Sequence, residues 1–254
     1  MLMCYGTEEG IRYMTVIQLK NTYVSPKVAP DAARKIVIAI DGPAASGKGT
    51  LARKLAERLG YAFLDTGALY RAVAMATLEL GGDPSQIKDV EPALGIIGRN
   101  LTMELLDSPI LRRPEISEAA SKVAALPKVR SELLEFQRQF AKNPPGNVGG
   151  AVLDGRDIGT VVCPDADIKL FVTATAEERA QRRFKELQLR HPQLTLERVL
   201  EDIVARDQRD SSRKVAPTIP AEDAYLLDTT KLSPEEVLGE ATRVVQEKFL
   251  TATE

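Results

Sequence analysis

Hydrophobic positions along this chain alternate between two periods. Ile36-Val37-Ile38-Ala39-Ile40 is an unbroken, mostly β-branched run, the pattern of a strand buried on both faces, and Asp41-Gly42 ends it. From Thr50 the period lengthens to that of a helix, with Leu51, Leu55 and Leu59 along one side and Gly60 as the stop. Tyr61–Leu64, Ala151–Leu153, Ile168–Val172 and Tyr225–Leu227 read as four further short strands, with helical patterns between most of them. Strands that alternate with helices predict an α/β fold, a five-stranded parallel sheet covered by helices on both faces. Near the end, Ser233-Pro234-Glu235-Glu236 predicts a capped helix start, with serine as cap and proline in the first turn.

Two stretches are too long to be simple crossovers. Residues 81–145 hold Gly81-Gly82-Asp83-Pro84, Arg112-Arg113-Pro114 and helical patterns around Pro127, and are expected to form an inserted subdomain. Residues 177–215 are rich in arginine and read as helix, loop and helix. Residues 1–33 show no period and contain Pro26 and Pro30, which predicts a loosely ordered extension before a single domain over 34–254; the sequence leaves open a start at Met14.

Composition narrows the function classes. The 254 residues carry a net charge of −2, so no global positive field draws the protein onto nucleic acid or lipid, and phosphate affinity must come from local arginine clusters. The two cysteines, Cys4 and Cys163, have no metal or disulfide spacing, which suits a reducing cytoplasm. The one histidine, His191, excludes multi-histidine metal sites and a histidine-based triad is not expected; next to Pro192 in a polar stretch, it reads as a surface residue. No apolar run has the length of a membrane span, and Met1 to Glu9 lack the features of a signal peptide.

The strongest chemical motif is Gly42-Pro43-Ala44-Ala45-Ser46-Gly47-Lys48-Gly49-Thr50, set between a buried strand and a helix. That context marks a phosphate-binding loop: glycines let the backbone amides wrap a phosphate, the helix adds the positive end of its dipole, and Lys48 reaches the β- and γ-phosphates. The usual serine or threonine after the lysine is Gly49 here, so Mg2+ is expected to be carried by phosphates and water, with no direct protein ligand. The loop alone does not separate a kinase from a GTPase or a motor.

Three further clusters belong to strand ends or helix faces. Asp65-Thr66-Gly67-Ala68-Leu69-Tyr70-Arg71 brings a carboxylate, a hydroxyl and an arginine to the same sheet edge, where ligands bind in open α/β sheets. Asp154-Gly155-Arg156-Asp157-Ile158-Gly159-Thr160 puts three charges around a glycine at another strand end. Arg206, Arg209, Asp210 and Arg213 fall at helical spacing. They read either as a solvated face laced with ion pairs or, given the loop upstream, as a mobile lid that brings positive charge to a migrating phosphoryl group.

Taken together these motifs resemble those of bacterial cytidylate kinases, across nearly the whole chain from Ile36 onward. The matching blocks are Gly42–Thr50, Asp65–Arg71, Arg112–Arg130, Asp154–Ala166 and Arg206–Pro217. The resemblance implies a nucleoside monophosphate kinase that moves the γ-phosphoryl group of ATP onto CMP or dCMP with Mg2+, acting as a cytoplasmic monomer without nucleic-acid or membrane partners. It implies that Ser121, Arg130 and Asp157 read cytosine, that Arg71, Arg156 and Arg213 grip the acceptor phosphate, and that Arg206 and Asp210 meet the sugar. Asp65 and Thr66 join the acceptor side, Thr66 standing where many relatives have serine. Lys48, Arg156, Arg209 and Arg213 are the expected catalytic charges. Competing readings are a UMP or AMP kinase on the same fold, and a nucleotide switch, although the chain has no Asn-Lys-x-Asp guanine motif.

Overall fold

The computed structural model describes residues 34–189, 192–213 and 215–251, so the readings of residues 1–33 and of His191 lie outside the described residues. Five strands, β1 (Ile36–Asp41), β2 (Ala62–Asp65), β3 (Gly150–Asp154), β4 (Ile168–Thr173) and β5 (Tyr225–Asp228), form one sheet in the order β2-β3-β1-β4-β5. Every pairing is parallel. The expected strands are all present, and their observed ends differ from the sequence reading by one residue. The two most uniformly apolar runs take two of the three places flanked on both sides: Ile38, Ala39 and Ile40 of β1, and Ala151, Val152 and Leu153 of β3, have no exposed surface.

Nine helices accompany the sheet among the described residues: α1 (Lys48–Leu59), α2 (Thr66–Glu79), α3 (Ile87–Asn100), α4 (Met103–Asp107), α5 (Pro114–Val123), α6 (Pro127–Lys142), α7 (Ala176–Leu187), α8 (Leu196–Ser211) and α9 (Pro234–Thr251). Helix α1 starts at Lys48, two residues before the period becomes visible, because the glycine-rich loop runs straight into it with Gly47 as its left-handed cap. Leu51 and Leu55 of α1 and Val244 and Val245 of α9 pack with Ile38 and Ile40 of the sheet. Each such buried aliphatic side chain contributes about 1.5–3 kcal/mol. Helix α9 opens with the expected cap: Glu236 N–H donates to Ser233 Oγ at 3.3 Å, and Ser233 N–H donates back to Glu236 Oε2 at 2.8 Å.

The chain forms two compact units. One is Gly67–Leu133; the other joins the described residues before Gly67 to those from Leu134 onward. In the first, Leu69, Val73, Val90, Ala93, Leu111, Val123 and Val129 supply the buried interior. In the second, the arginine-rich stretch is the expected helix, loop and helix. Ala180 of α7 and Val199 and Ile203 of α8 form a small apolar core, against which Ala45 of the glycine-rich loop also packs.

Candidate active site

The glycine-rich loop takes its shape from the sheet. Gly42 has φ +146°, and a Cβ on it would stand 2.0 Å from the backbone oxygen of Val172 on β4, so no other residue fits. At the tip, Ala45 adopts a left-handed φ of 59°, uncommon for a residue with a Cβ. Lys48 is buried, and its Nζ donates to the Pro43 carbonyl at 3.2 Å. Burial pushes the ammonium down to about 7; Arg156 and Arg206 push the same way, and Asp154 and Asp65 oppose them. The buried Ser46 hydroxyl has no hydrogen-bond partner.

Two arginines of α7 brace this loop, and the sequence reading did not single them out. Arg179, only 5% exposed, donates to the Ala44 carbonyl at 3.1 Å and to the Ala174 carbonyl at 2.9 Å, and pairs with Asp207 of α8 at 2.6 Å. Arg182 donates to the Thr229 hydroxyl and carbonyl at 2.9 and 2.7 Å, and that hydroxyl in turn donates to the Ser46 carbonyl at 3.2 Å. In sequence both arginines look like part of a solvated helix face, since their partners lie far away along the chain.

Three carboxylates stand at the ends of neighbouring strands: Asp65 on β2, Asp154 on β3 and Asp41 on β1, with Asp154 in register beside Asp65 and Ile40. Asp154 Oδ2 lies 2.9 Å from where a Cβ on Gly49 would be. A carboxylate from β3 therefore occupies the place where a hydroxyl after the lysine would project. Such an oxygen suits a hydrated Mg2+ that keeps most of its waters and phosphate ligands. The Thr66 hydroxyl donates to the Asp154 carbonyl at 2.8 Å, tying the start of α2 to the end of β3.

Asp41 is buried and accepts two backbone N–H groups, from Ile158 at 2.7 Å and Gly159 at 2.8 Å. These begin a single π-helical turn, Ile158–Val162, directly after Asp157. Burial pushes the Asp41 carboxyl up to about 7 and outweighs the two donors, which favour the charged form.

The arginine cluster centres on Asp210, which is 3% exposed. Arg156 Nε lies 3.3 Å from Asp210 Oδ2, Arg206 Nε lies 3.8 Å from it, and Arg213 pairs with Oδ1. Burial raises the Asp210 carboxyl, but the combined charges of Arg156, Arg213 and Arg206 overcome it and hold it below its ordinary value. Helix α8 ends at Ser211, so Arg213 joins from the turn beyond the helix and not from its face. Arg209 is exposed and stands apart from this network.

The unit Gly67–Leu133 carries Arg71 on α2, Ser121 on α5 and Arg130 on α6. Ser121 is buried and its hydroxyl has no hydrogen-bond partner. That omission costs about 1–3 kcal/mol, and is expected where a ligand supplies the partner. Arg130 donates to the Ala124 carbonyl at 3.3 Å, and its guanidinium lies over the Tyr70 ring, 5.6 Å from the centroid.

Among the described residues no helix is long and apolar enough to cross a membrane. A family model described as cytidylate kinase matches residues 38–247. A protein of Paramagnetospirillum magneticum named cytidylate kinase is 52% identical over 212 residues, spanning 84% of this chain and 98% of its own length. Another of that name from Azorhizobium caulinodans is 54% identical over 211 residues, spanning 83% and 98%, and one from Granulibacter bethesdensis is 51% identical over 215 residues, spanning 85% and 99%. With the matched span running from the glycine-rich loop through the arginine cluster, this chain belongs to the cytidylate kinase family.

Proposed function

We propose that this protein transfers the γ-phosphoryl group of ATP to CMP or dCMP, giving ADP and CDP or dCDP. One observation carries the reading. A single compact unit holds two cationic constellations of the kind that suit anions, the loop with buried Lys48 and the Arg156–Arg206–Arg213 cluster around Asp210. Phosphoryl transfer needs little covalent help; it needs two anionic nucleotides positioned and the migrating charge neutralised. Backbone amides of Gly42–Thr50 cradle the ATP phosphates and Lys48 meets the transferred group. Arg156 and Arg213 hold the acceptor phosphate, whose oxygen is already an anion and needs no strong general base. Arg206 and Asp210 meet the sugar. Arg209 and the rest of α7 and α8 act as a lid that excludes water. Mg2+ would supply charge neutralisation of the ATP phosphates, and Asp154 would hold its water shell. The enzyme works as a cytoplasmic monomer.

Base selectivity follows from hydrogen-bond polarity. A carboxylate such as Asp157 has the polarity to accept from the N4 amino group of cytosine; the unit Gly67–Leu133 by itself offers a guanidinium, Arg130, with the polarity to donate to N3 and O2, and the Ser121 hydroxyl. Uracil reverses the first two groups and would leave buried polar groups unpaired, which disfavours a UMP kinase. An ADP-release assay across CMP, dCMP, UMP and AMP tests the proposal. CMP and dCMP should be the fast acceptors; UMP turned over as fast as CMP, or no diphosphate from CMP, would overturn it.

A further inference from the structure

The turn that follows Asp157 is held at both ends by side chains from elsewhere in the fold. At the start of an isolated helical turn, the residue in Asp157's place normally caps the first free N–H groups with its own side chain. Asp157 does not: it holds the cap position with φ −144° and ψ 27°, yet makes no capping hydrogen bond. The two leading donors, Ile158 N–H and Gly159 N–H, go instead to the separate oxygens of Asp41 at 2.7 and 2.8 Å. At the other end, the carbonyls of Val161 and Val162 accept from the Arg138 guanidinium at 3.0 and 3.1 Å. Asp41 is also the residue immediately before Gly42, so one buried carboxylate ties the first residue of the phosphate loop to the segment that carries Asp157.

We propose that Asp41 is a positioning residue for acceptor recognition. By capping the Ile158–Val162 turn it relieves Asp157 of that role and fixes the Asp157 carboxylate in register with the donor loop. The inference rests on the reading of Asp157 as a base-recognising group. The arrangement needs a carboxylate, because both oxygens must accept. An asparagine of the same size offers one acceptor and turns an amino group toward the second N–H, leaving that donor without a partner. The same place is crowded by like charge, since Asp154 and Asp157 both bear on Asp41 electrostatically, so the carboxylate is kept despite a local cost.

The test is steady-state kinetics of Asp41→Asn beside wild type, with CMP and UMP as acceptors. The expected result is a rise of about tenfold in KM for CMP and a comparable fall in the CMP-over-UMP preference, the size of losing a charged hydrogen bond. KM for ATP and kcat at saturating CMP should stay within about threefold. Amide exchange at Ile158 and Gly159 should quicken in the same variant. Arg138→Gln frees the opposite end of the turn, should shift CMP use in the same direction, and decides the matter alone if Asp41→Asn does not fold. Unchanged CMP kinetics in the folded variants would overturn the inference, as would an equal rise in both KM values, the mark of a merely structural role. Wild type that makes no CDP would instead remove the acceptor reading itself, and this role with it.

Discussion

The carboxylate of Asp154 takes up the space beside Gly49, so that a Cβ there would stand 2.9 Å from Oδ2. Gly49→Ser, which restores the residue type common at this place in phosphate loops, therefore displaces Asp154. A shift of a reacting group by about 1 Å can cost on the order of a hundredfold in rate. The expectation is a kcat reduced by about 10- to 100-fold and a higher Mg2+ requirement. Wild-type kcat and an unchanged Mg2+ titration in this variant would remove the assignment of Asp154 to the metal's water shell.

Lys48 gives a linked pair of expectations. Lys48→Met should reduce turnover by orders of magnitude, because its charge is used where negative charge migrates. In the empty protein burial holds the ammonium down at about 7, and the phosphates of ATP must raise it again. ATP binding at about pH 8 should then take up close to one proton per site, and affinity should weaken as pH rises past the empty-state value. Calorimetry in buffers of different ionisation heat measures the uptake; equal heats in all buffers for wild type would contradict it.

Asp210 supplies a pH-dependent stability term whose sign is fixed. Its folded value lies below the ordinary 3.8, so the folded state holds fewer protons than the unfolded state near that pH. Its contribution is complete above that value and disappears as pH falls through the folded value. Asp210→Asn should lose about 3–5 kcal/mol at neutral pH, the usual cost of breaking a buried ion pair. The gap to wild type should narrow on acidification below the carboxylate range. Denaturant melts at neutral and acid pH read it directly, and a constant gap would exclude the mechanism.

Arg179→Gln removes the donor to the Ala44 carbonyl and the partner of Asp207. The loop should lose definition at the tip, where Ala45 is held in its left-handed conformation. KM for ATP should rise by about tenfold while KM for CMP moves little, a split that separates bracing of the donor loop from general destabilisation. Equal effects on both substrates would argue for the latter.

Local chemistry was legible in the sequence wherever neighbours along the chain create it. The β-branched runs announced the strands, the glycine spacing announced a tight loop between strand and helix, and Ser233 with Glu236 announced a cap that forms as read. What stayed hidden depends on distant partners. Nothing around Asp41 indicates that its acceptors serve amides 117 and 118 residues away, and nothing around Arg179 points to the Ala44 carbonyl. Helical spacing grouped Arg209 with Arg206 and Arg213. The side-chain network instead selects Arg206, Arg213 and Arg156, because buried Asp210 gathers the guanidinium groups that can reach it. Periodicity ranks residues by angle about one helix axis and carries no information about a carboxylate that draws in arginines from other elements.

Gly42 has a consequence for how the enzyme would meet ATP. The Val172 oxygen that forbids a side chain there belongs to β4, an inner strand of the sheet that pairs with β1 along one edge and with β5 along the other. The hollow proposed to receive the nucleotide's phosphates thus takes its shape from the sheet itself, before any ligand arrives. Little ordering is left for the encounter to perform, so the free energy of binding goes to holding charge and not to folding a loop around it.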